Sequence, residues 1–295
     1  MIIFAENIFW KILIKDKSMF SRDIEQNVLD NLQKSDLWTR QLKRDCEEQK
    51  VFMTIRPNDV VSFYHYGGKV FSFEKKAFRT HIKYAAVIEK RKKSSYLTEN
   101  DLNNKVSLIS VFSDDQNYKR IKENCKQYSK KTEEEEVSKI YHAHSYLSGK
   151  DIVVLDIEIS FEGKNKIDIL LYNKVTKTLK FIEAKHFSNS EIWSETIPKV
   201  VSQIRKYEEQ IQHKKVEIIE AYKKYINTIN EMFEKSIPPP EMVENEVTLL
   251  IFGFDSDQRN GRLQKLIFEN ESFVEHKVYC AGSAKNANLN ALWNK

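Results

Sequence analysis

Three charged residues lie inside two consecutive apolar segments, and this placement constrains the fold more than any other feature of the sequence. Residues 167–172 carry Asp168, and residues 180–185 carry Glu183 and Lys185. Both segments have the length and apolar content of β-strands, and the polar residues between them predict a turn. Burying charges on neighbouring strands costs free energy unless the charges are paired or bound to a metal. The two segments therefore predict a site rather than a plain core.

The expected strand geometry brings these charges together. Side chains alternate between the two faces of a strand, so Glu183 and Lys185 share one face with Phe181. If the two strands pair as a hairpin, Asp168 lies near Glu183. Two neighbouring carboxylates repel each other unless a cation lies between them. Mg²⁺ takes a few carboxylate oxygens and completes its shell with water and substrate phosphate, so we predict a magnesium site with Lys185 beside it.

This arrangement resembles the PD-(D/E)xK nuclease superfamily, which has the restriction-endonuclease-like fold. The matching residues are Asp168 and the triplet Glu183-Ala184-Lys185, while the proline of the family's name is absent. The resemblance implies that Asp168, Glu183 and the backbone carbonyl of Ala184 hold Mg²⁺, for which Mn²⁺ can substitute. It also implies that Lys185 positions the attacking water and stabilises the transition state.

The triplet alone is not specific, because the same pattern of glutamate, any residue and lysine occurs at 48–50, 74–76, 162–164 and 275–277. Only the copy at 183–185 follows a strand with an acid and precedes a long helical segment. The copy at 275–277 has apolar flanks but lacks the preceding acidic hairpin, so we set it aside.

A second motif lies on the helical segment after the triplet. Gln203 and Tyr207 are four residues apart, and so share one face of a helix. A Gln-x-x-x-Tyr pair at this place is similar to the RecB-like branch of the superfamily, where the pair organises the site and contacts nucleic acid. The alternative is a surface glutamine beside a half-buried tyrosine.

The resemblance also implies an acid from the first core helix. Four glutamates, at 133–136, precede a segment of helical periodicity that begins at Val137. Positions three or four residues before Val137 face the core, which favours Glu134 or Glu133, and we predict Glu134 as the ligand. The alternative is a solvated helix start stabilised by the helix dipole. Glu158 is a further candidate, although sharing a face with Asp156 favours a solvent-exposed position.

The order of predicted elements agrees with an α/β fold of the restriction-endonuclease-like class, with a mixed sheet flanked by helices in the order αβββαβ. The elements are a helix near 116–147, strands at 151–161, 167–172 and 179–186, a helix from about 195, a strand at 247–254, a short helix at 262–267 and a strand at 273–281. The resemblance covers about residues 113–285. The segment 199–235 is either one extended arm or two helices, and it offers a surface for a homodimer.

Residues 1–112 predict a separate N-terminal α+β domain, and residues 113–295 form the nuclease-like domain. The N-terminal pattern gives a helix from 21 to about 48 and strands at 51–55, 60–66, 69–74 and 79–88, with a hairpin turn at Gly67-Gly68. Interleaved aromatic and basic residues on such a sheet can stack bases and hold phosphates, or can belong to an ordinary half-exposed sheet. The residues concerned are Arg56, Tyr64, His65, Tyr66, Arg79, His81, Lys83 and Tyr84. The domain is a candidate for recognition, regulation or binding of a protein partner.

Composition is compatible with a cytoplasmic nucleic-acid-binding protein. The 295 residues include 48 basic and 43 acidic side chains, for a net charge of +5, which permits binding of nucleic acid without requiring it. Three scattered cysteines favour a reducing compartment. The apolar segment 1–14 is interrupted by charges and is neither a membrane span nor a signal peptide, and translation can begin at Met1 or Met19.

The expected function is therefore a metal-dependent nuclease that hydrolyses phosphodiester bonds, of DNA rather than RNA, in restriction or anti-phage defence. Two alternatives stay open. One is a catalytically silent nuclease fold that binds nucleic acid, and the other is an interaction or regulatory protein whose acidic pocket binds something else.

Overall fold

The computed structural model describes residues 20–88, 106–130, 132–161, 166–194 and 197–295. The apolar segment 1–14, both candidate start codons, the basic segment 89–95 and the whole triplet at 162–164 lie outside the described residues.

The first part of the chain forms a four-stranded antiparallel sheet covered by helices. It begins with α1 (Gln26–Lys34), a π-helical turn (Trp38–Leu42) and α2 (Lys43–Glu47). The sheet has the order β1 (Phe52–Arg56), β2 (Val60–His65), β3 (Gly68–Glu74) and β4 (Ala77–Arg79). A short helix, α3 (Ile82–Ala85), leads to the paired strands β5 (Ala86–Ile88) and β6 (Val106–Leu108), and α4 (Asp115–Ser129) packs on β3.

The second part contains the larger sheet. Its elements are α5 (Glu133–Ala143), β7 (Ile152–Ile159), β8 (Ile167–Asn173), β9 (Thr178–His186), a 3₁₀ turn (Ser190–Ile192), α6 (Lys199–Phe233), β10 (Met242–Val243) and β11 (Thr248–Phe252). There follow α7 (Ser256–Gln258), a π-helical turn (Arg259–Leu263), α8 (Gln264–Glu269), α9 (Glu271–Val274), β12 (Val278–Ala281), a 3₁₀ turn (Ala284–Asn286) and α10 (Leu289–Trp293).

The strand order of the larger sheet is β12-β11-β9-β8-β7, and β10 also pairs with β9. Strand β8 is antiparallel to both β7 and β9, whereas β9, β11 and β12 run parallel to one another. Parallel neighbours need a crossover connection, and α6 supplies it between β9 and β11. The protein is therefore of the mixed α/β class.

Helix α6 is one continuous helix of 35 residues, so neither a fold into two helices nor a free arm describes it. Its apolar stripe is buried along most of its length, which fixes the helix against the body of the protein. The buried residues are Val200, Val201, Ile204, Tyr207, Ile211, Ile218, Ala221, Tyr222, Tyr225, Ile226, Ile229, Met232 and Phe233. The helix ends where Glu234 adopts a left-handed conformation with φ of 52°.

Several predicted boundaries are wrong for local reasons. The helix expected near 116–147 is two helices, because the Thr132 side chain accepts a hydrogen bond from Glu135 N and begins α5. The strand expected at 79–88 is interrupted by α3, whose first turn is capped by His81. The strand expected at 273–281 starts only at Val278, after α9.

The hairpin turn between β2 and β3 is Tyr66-Gly67 instead of Gly67-Gly68. Both turn residues have positive φ, 49° and 83°. A Cβ atom on Gly67 would lie 2.5 Å from the backbone carbon of Glu134, so this turn packs directly on the first turn of α5. Only glycine allows both the backbone conformation and this close approach.

A buried ionic cluster connects the two sheets. The fully buried Asp156 of β7 lies 3.0 Å from Arg22 Nε and 3.0 Å from Arg56 Nη1, and it accepts a 2.8 Å hydrogen bond from Tyr222 OH of α6. The solvent-exposed position expected for Asp156 is therefore wrong. The register of β7 shifts between Val154 and Asp156, which reverses the alternation that the sequence suggests.

The described residues of both parts share one continuous hydrophobic core. The division into domains at residue 112 stays a prediction. The exposed aromatic and basic surface predicted on the first sheet is wrong for three members, because Tyr64, His65 and Tyr84 are buried. In the part of the chain that the structure describes, no helix combines the length and apolar content of a membrane span.

Candidate active site

Strands β8 and β9 form the hairpin that carries the predicted site. Ile169 pairs with Ile182 and Leu170 with Phe181, and one further step in this antiparallel register places Asp168 opposite Glu183. Asp168 Oδ2 accepts a 2.8 Å hydrogen bond from the backbone N–H of Ala184. The two acids thus lie side by side at the end of a buried hairpin.

Lys185 is held between two carboxylates. Its Nζ lies 2.9 Å from Glu183 Oε1 and 3.0 Å from Oε2 of Glu191, which belongs to the 3₁₀ turn after β9. Glu183 is 1% exposed, and its Oε2 has no hydrogen-bond donor among the described residues. A buried carboxylate oxygen without a donor is costly, which makes this atom a natural ligand for a cation.

The electrostatics of the two acids favour proton or cation uptake. Burial raises the pKa of Asp168, and Glu133 and Glu158 add to the increase. Burial also raises the pKa of Glu183 well above its ordinary value, and Asp168 raises it further. Burial lowers the pKa of Lys185, but Glu183 and Asp168 outweigh that effect, so its pKa is raised and its charge is retained.

A small cavity of about 60 Å³ adjoins Asp168 and is lined by further acids. Its lining residues are Gly67, Glu133, Glu134, Val137, Tyr141, Ile157, Glu158 and Asp168. A space of this size has room for water or a metal ion with polar partners. Four acidic residues therefore line one small volume at the end of the hairpin.

The first core helix contributes Glu133 more directly than the predicted Glu134. Glu133 Oε2 accepts hydrogen bonds from His186 N at 2.7 Å and Asn189 Nδ2 at 3.2 Å, and its charge acts on Asp168. The Glu134 side chain is exposed, although the residue lines the cavity. Because Thr132 caps α5 directly before Glu133, the first helical residue points toward the strand ends.

Glu158 reaches the cavity through an unusual backbone conformation. Its φ of 48° is in the left-handed region, which a residue with a side chain adopts rarely. Its Oε2 is 2.9 Å from Lys166 Nζ. The Glu158 side chain is 30% exposed, so it is half-buried at the mouth of the cavity and is a fourth acid of the site.

Gln203 and Tyr207 lie together, as the motif predicts, and connect α6 to the hairpin. Gln203 Nε2 donates to Tyr207 OH at 2.7 Å, and Tyr207 OH donates to the backbone carbonyl of Lys166 at 2.9 Å. Burial raises the pKa of Tyr207, and the charges of Glu183 and Asp168 raise it further. The pair therefore holds the start of β8, two residues before Asp168.

We predict that Tyr207→Phe lowers the activity of this site about tenfold, because a small displacement of a catalytic group has a large effect on rate. The loss of its hydrogen bonds should lower the free energy of unfolding by about 1 kcal/mol. Urea denaturation and initial rates measure the two effects. The exposed Tyr128 provides a control, and equal rates for Tyr207→Phe and Tyr128→Phe would contradict a positioning role.

The donor set suits magnesium, although the side chains do not form a closed cage. Across the described ranges, no group of three or more acidic, histidine or cysteine side chains converges on a single metal position. Mg²⁺ needs only one or two protein carboxylates, because it keeps several waters and takes phosphate oxygens from the substrate. Asp168 and Glu183 can supply two carboxylate oxygens, and the backbone carbonyl of Ala184 can supply a third oxygen ligand.

The raised pKa values of Asp168 and Glu183 predict that the free energy of unfolding of the metal-free protein decreases as the pH rises from about 5 to about 8. The reason is that the folded state binds more protons than the unfolded state in this range. Buried His65 and His142, with pKa values lowered to about 4 and about 3, have the opposite effect over the acidic part of this range. We therefore compare the wild-type protein with Asp168→Asn, in which the decrease in the free energy of unfolding should be smaller. Urea denaturation across this range tests it, and identical pH dependence of both proteins would contradict it.

One residue of the site had no sequence signal. Glu191 lies in the 3₁₀ turn after β9, outside any motif, and only the structure shows that it contacts Lys185. A search of family models, curated proteins and solved structures found no match to this chain. The geometry of the site is therefore the basis for a functional inference.

Proposed function

We propose that this protein is a metal-dependent nuclease that hydrolyses phosphodiester bonds, with DNA as the preferred substrate. The observation that carries the proposal is the position of Asp168 opposite Glu183, with Lys185 in contact with Glu183, at the end of a buried hairpin. Burying this set without a ligand is costly, whereas a divalent cation would compensate the two acids.

The order of the surrounding elements supports the proposal. Helix α5, strands β7 to β9, helix α6 and strand β11 follow one another in the αβββαβ order of a restriction-endonuclease-like core. The antiparallel β7-β8-β9 unit and the parallel β9-β11 pair give the mixed sheet that this fold implies. Asp168 lies on β8 and Glu183 on the adjacent strand β9.

In this mechanism Asp168, Glu183 and the carbonyl of Ala184 hold Mg²⁺ or Mn²⁺. The metal, when bound, lowers the pKa of a water ligand and neutralises charge on the phosphate. Lys185 keeps its proton at Nζ and places a positive charge where negative charge develops on the phosphate oxygens. Tyr207 holds the strand that carries Asp168, and Glu191 orients Lys185.

One observation favours a second candidate, a nuclease fold that binds nucleic acid without cutting it. Lys185 is paired with both Glu183 and Glu191, and Asp168 is engaged by Ala184 N. A site in which these contacts persist would bind a strand but would not supply a free ammonium group to the phosphate.

The experiment is incubation of the full chain with supercoiled plasmid, linear duplex, single-stranded DNA and RNA, each with Mg²⁺, Mn²⁺ or EDTA. The proposal predicts strand cleavage in the presence of either metal and none in EDTA, with DNA cut faster than RNA. Binding of these substrates without cleavage under every condition would overturn the proposal and leave the second candidate.

A further inference from the structure

A groove of about 480 Å³ lies between the first sheet and the β7-β8 hairpin, directly beside the acidic cavity. The two spaces share Glu158, which lines both. The groove-lining residues that matter here are Arg56, Tyr64, Lys69, Ser160 and Lys166. We call this surface the basic groove. It is the place where the N-terminal sheet reaches the candidate active site.

The charge of the basic groove is opposite to that of the cavity. Arg22, Arg56, Lys69 and Lys166 supply four positive charges, and Asp156 and Glu158 supply two negative ones, which leaves two positive charges. The imbalance is built into the floor of the groove, because two arginines share the single buried carboxylate of Asp156. Lys69 is exposed, and more than half of the Lys166 side chain is exposed.

A polyanionic substrate requires such a surface here. Glu133, Glu158 and Asp168 make the cavity acidic, and these carboxylates repel a nucleic-acid backbone. Positive charge next to the site compensates for that repulsion and holds the strand by its phosphates. Lys166 connects the two regions, because it lines the basic groove and is two residues from Asp168.

We propose that the basic groove binds the sugar-phosphate backbone of the substrate strand beside the phosphate to be cut, with Lys69 and Lys166 as the phosphate contacts. The inference rests on the proposed nuclease function and adds a role for the N-terminal sheet. It assigns strand binding to the face of that sheet on which Arg56 of β1, Tyr64 of β2 and Lys69 of β3 lie.

The test is binding of a short fluorescein-labelled DNA strand to the full chain in EDTA, measured by fluorescence anisotropy over a range of salt concentrations. The double variant Lys69→Ala with Lys166→Ala should bind at least about tenfold more weakly at low salt. The slope of log K against log salt should become shallower by about 1.4, since each phosphate contact on a single strand contributes about −0.7 to the slope. The matched control is Lys119→Ala with Arg120→Ala, which removes two exposed charges from α4 and should leave the slope near its original value.

Two results would overturn the inference. One is an equal slope for the groove variant and the wild-type protein. The other is competition by a mononucleotide or inorganic phosphate as effective as competition by the unlabelled strand, which would assign the groove to a free phosphate compound. Cleavage by wild-type protein with an unchanged slope for the groove variant contradicts only this inference. Absence of cleavage together with a reduced slope contradicts only the nuclease function.

Discussion

Lys185→Ala is expected to reduce cleavage by at least about a hundredfold, the usual loss when one electrostatic contact to the transition state is removed. Lys185 Nζ contacts Glu183 Oε1 at 2.9 Å and keeps its positive charge beside the paired acids. Mn²⁺ binding, measured by calorimetry at about pH 8, should persist, because the oxygens of Asp168 and Glu183 are the ligands and not the lysine nitrogen.

Lys199→Ala is the matched control, because Lys199 binds the same Glu191 that holds Lys185 but is 75% exposed. This variant should cleave at a rate close to that of the wild type. If Lys185→Ala also cleaves at the wild-type rate while the protein is folded, the lysine has no part in the chemistry. If it loses Mn²⁺ binding, its role is structural.

The second large effect concerns stability. Asp156→Asn is expected to lower the free energy of unfolding by about 3–5 kcal/mol, because it leaves the guanidinium groups of Arg22 and Arg56 buried without a counter-charge. The Arg22 side chain is 2% exposed, so water cannot replace the carboxylate there, and the Arg56 side chain is only 15% exposed. Urea denaturation followed by tryptophan fluorescence and circular dichroism measures the change.

The control for this prediction is Asp151→Asn, at an exposed aspartate directly before β7. It should change the free energy of unfolding by no more than about 0.5 kcal/mol. Equal stability of the two variants would show that the cluster of Asp156 with its two arginines does not connect the sheets energetically. The double variant Asp156→Asn with Arg22→Met removes one of the two unpaired guanidinium groups. It should be more stable than Asp156→Asn alone.

Much of the larger sheet could be predicted from sequence because its strands are short apolar runs bounded by polar turns. The hairpin of 167–172 and 179–186 was expected, and the structure pairs β8 with β9 in the register that places Asp168 opposite Glu183. The helix that carries Gln203 and Tyr207 was also expected, since its apolar residues recur with helical period.

The rest depends on local backbone features that periodicity does not encode. In β7 a register shift between Val154 and Asp156 and the positive φ of Glu158 reverse the expected alternation. Asp156, which was expected to face solvent, is therefore the buried carboxylate of the ionic cluster. Glu158, expected on the same face, lines the acidic cavity. A sequence pattern with period two cannot show such an irregularity.

The upstream acid illustrates the same limit at the end of a helix. The pattern before Val137 favoured Glu134 or Glu133, and a difference of one residue rotates a side chain by about 100° around the axis. The start of α5 at the Thr132 cap directs Glu133 toward His186 N, whereas the Glu134 side chain is exposed, and the choice of metal ligand stays a prediction. Glu191 was missed because loop contacts bring it to Lys185 without any periodic signal.

The most direct measurement is the single-turnover cleavage rate of the best DNA substrate by wild-type protein and by Asp168→Asn, in Mg²⁺ and in EDTA. Asparagine keeps the shape of the side chain and removes the charge that a metal ligand needs. The account predicts cleavage only by the wild type and only with Mg²⁺. Cleavage by Asp168→Asn at the wild-type rate, or cleavage by the wild type in EDTA, would contradict it.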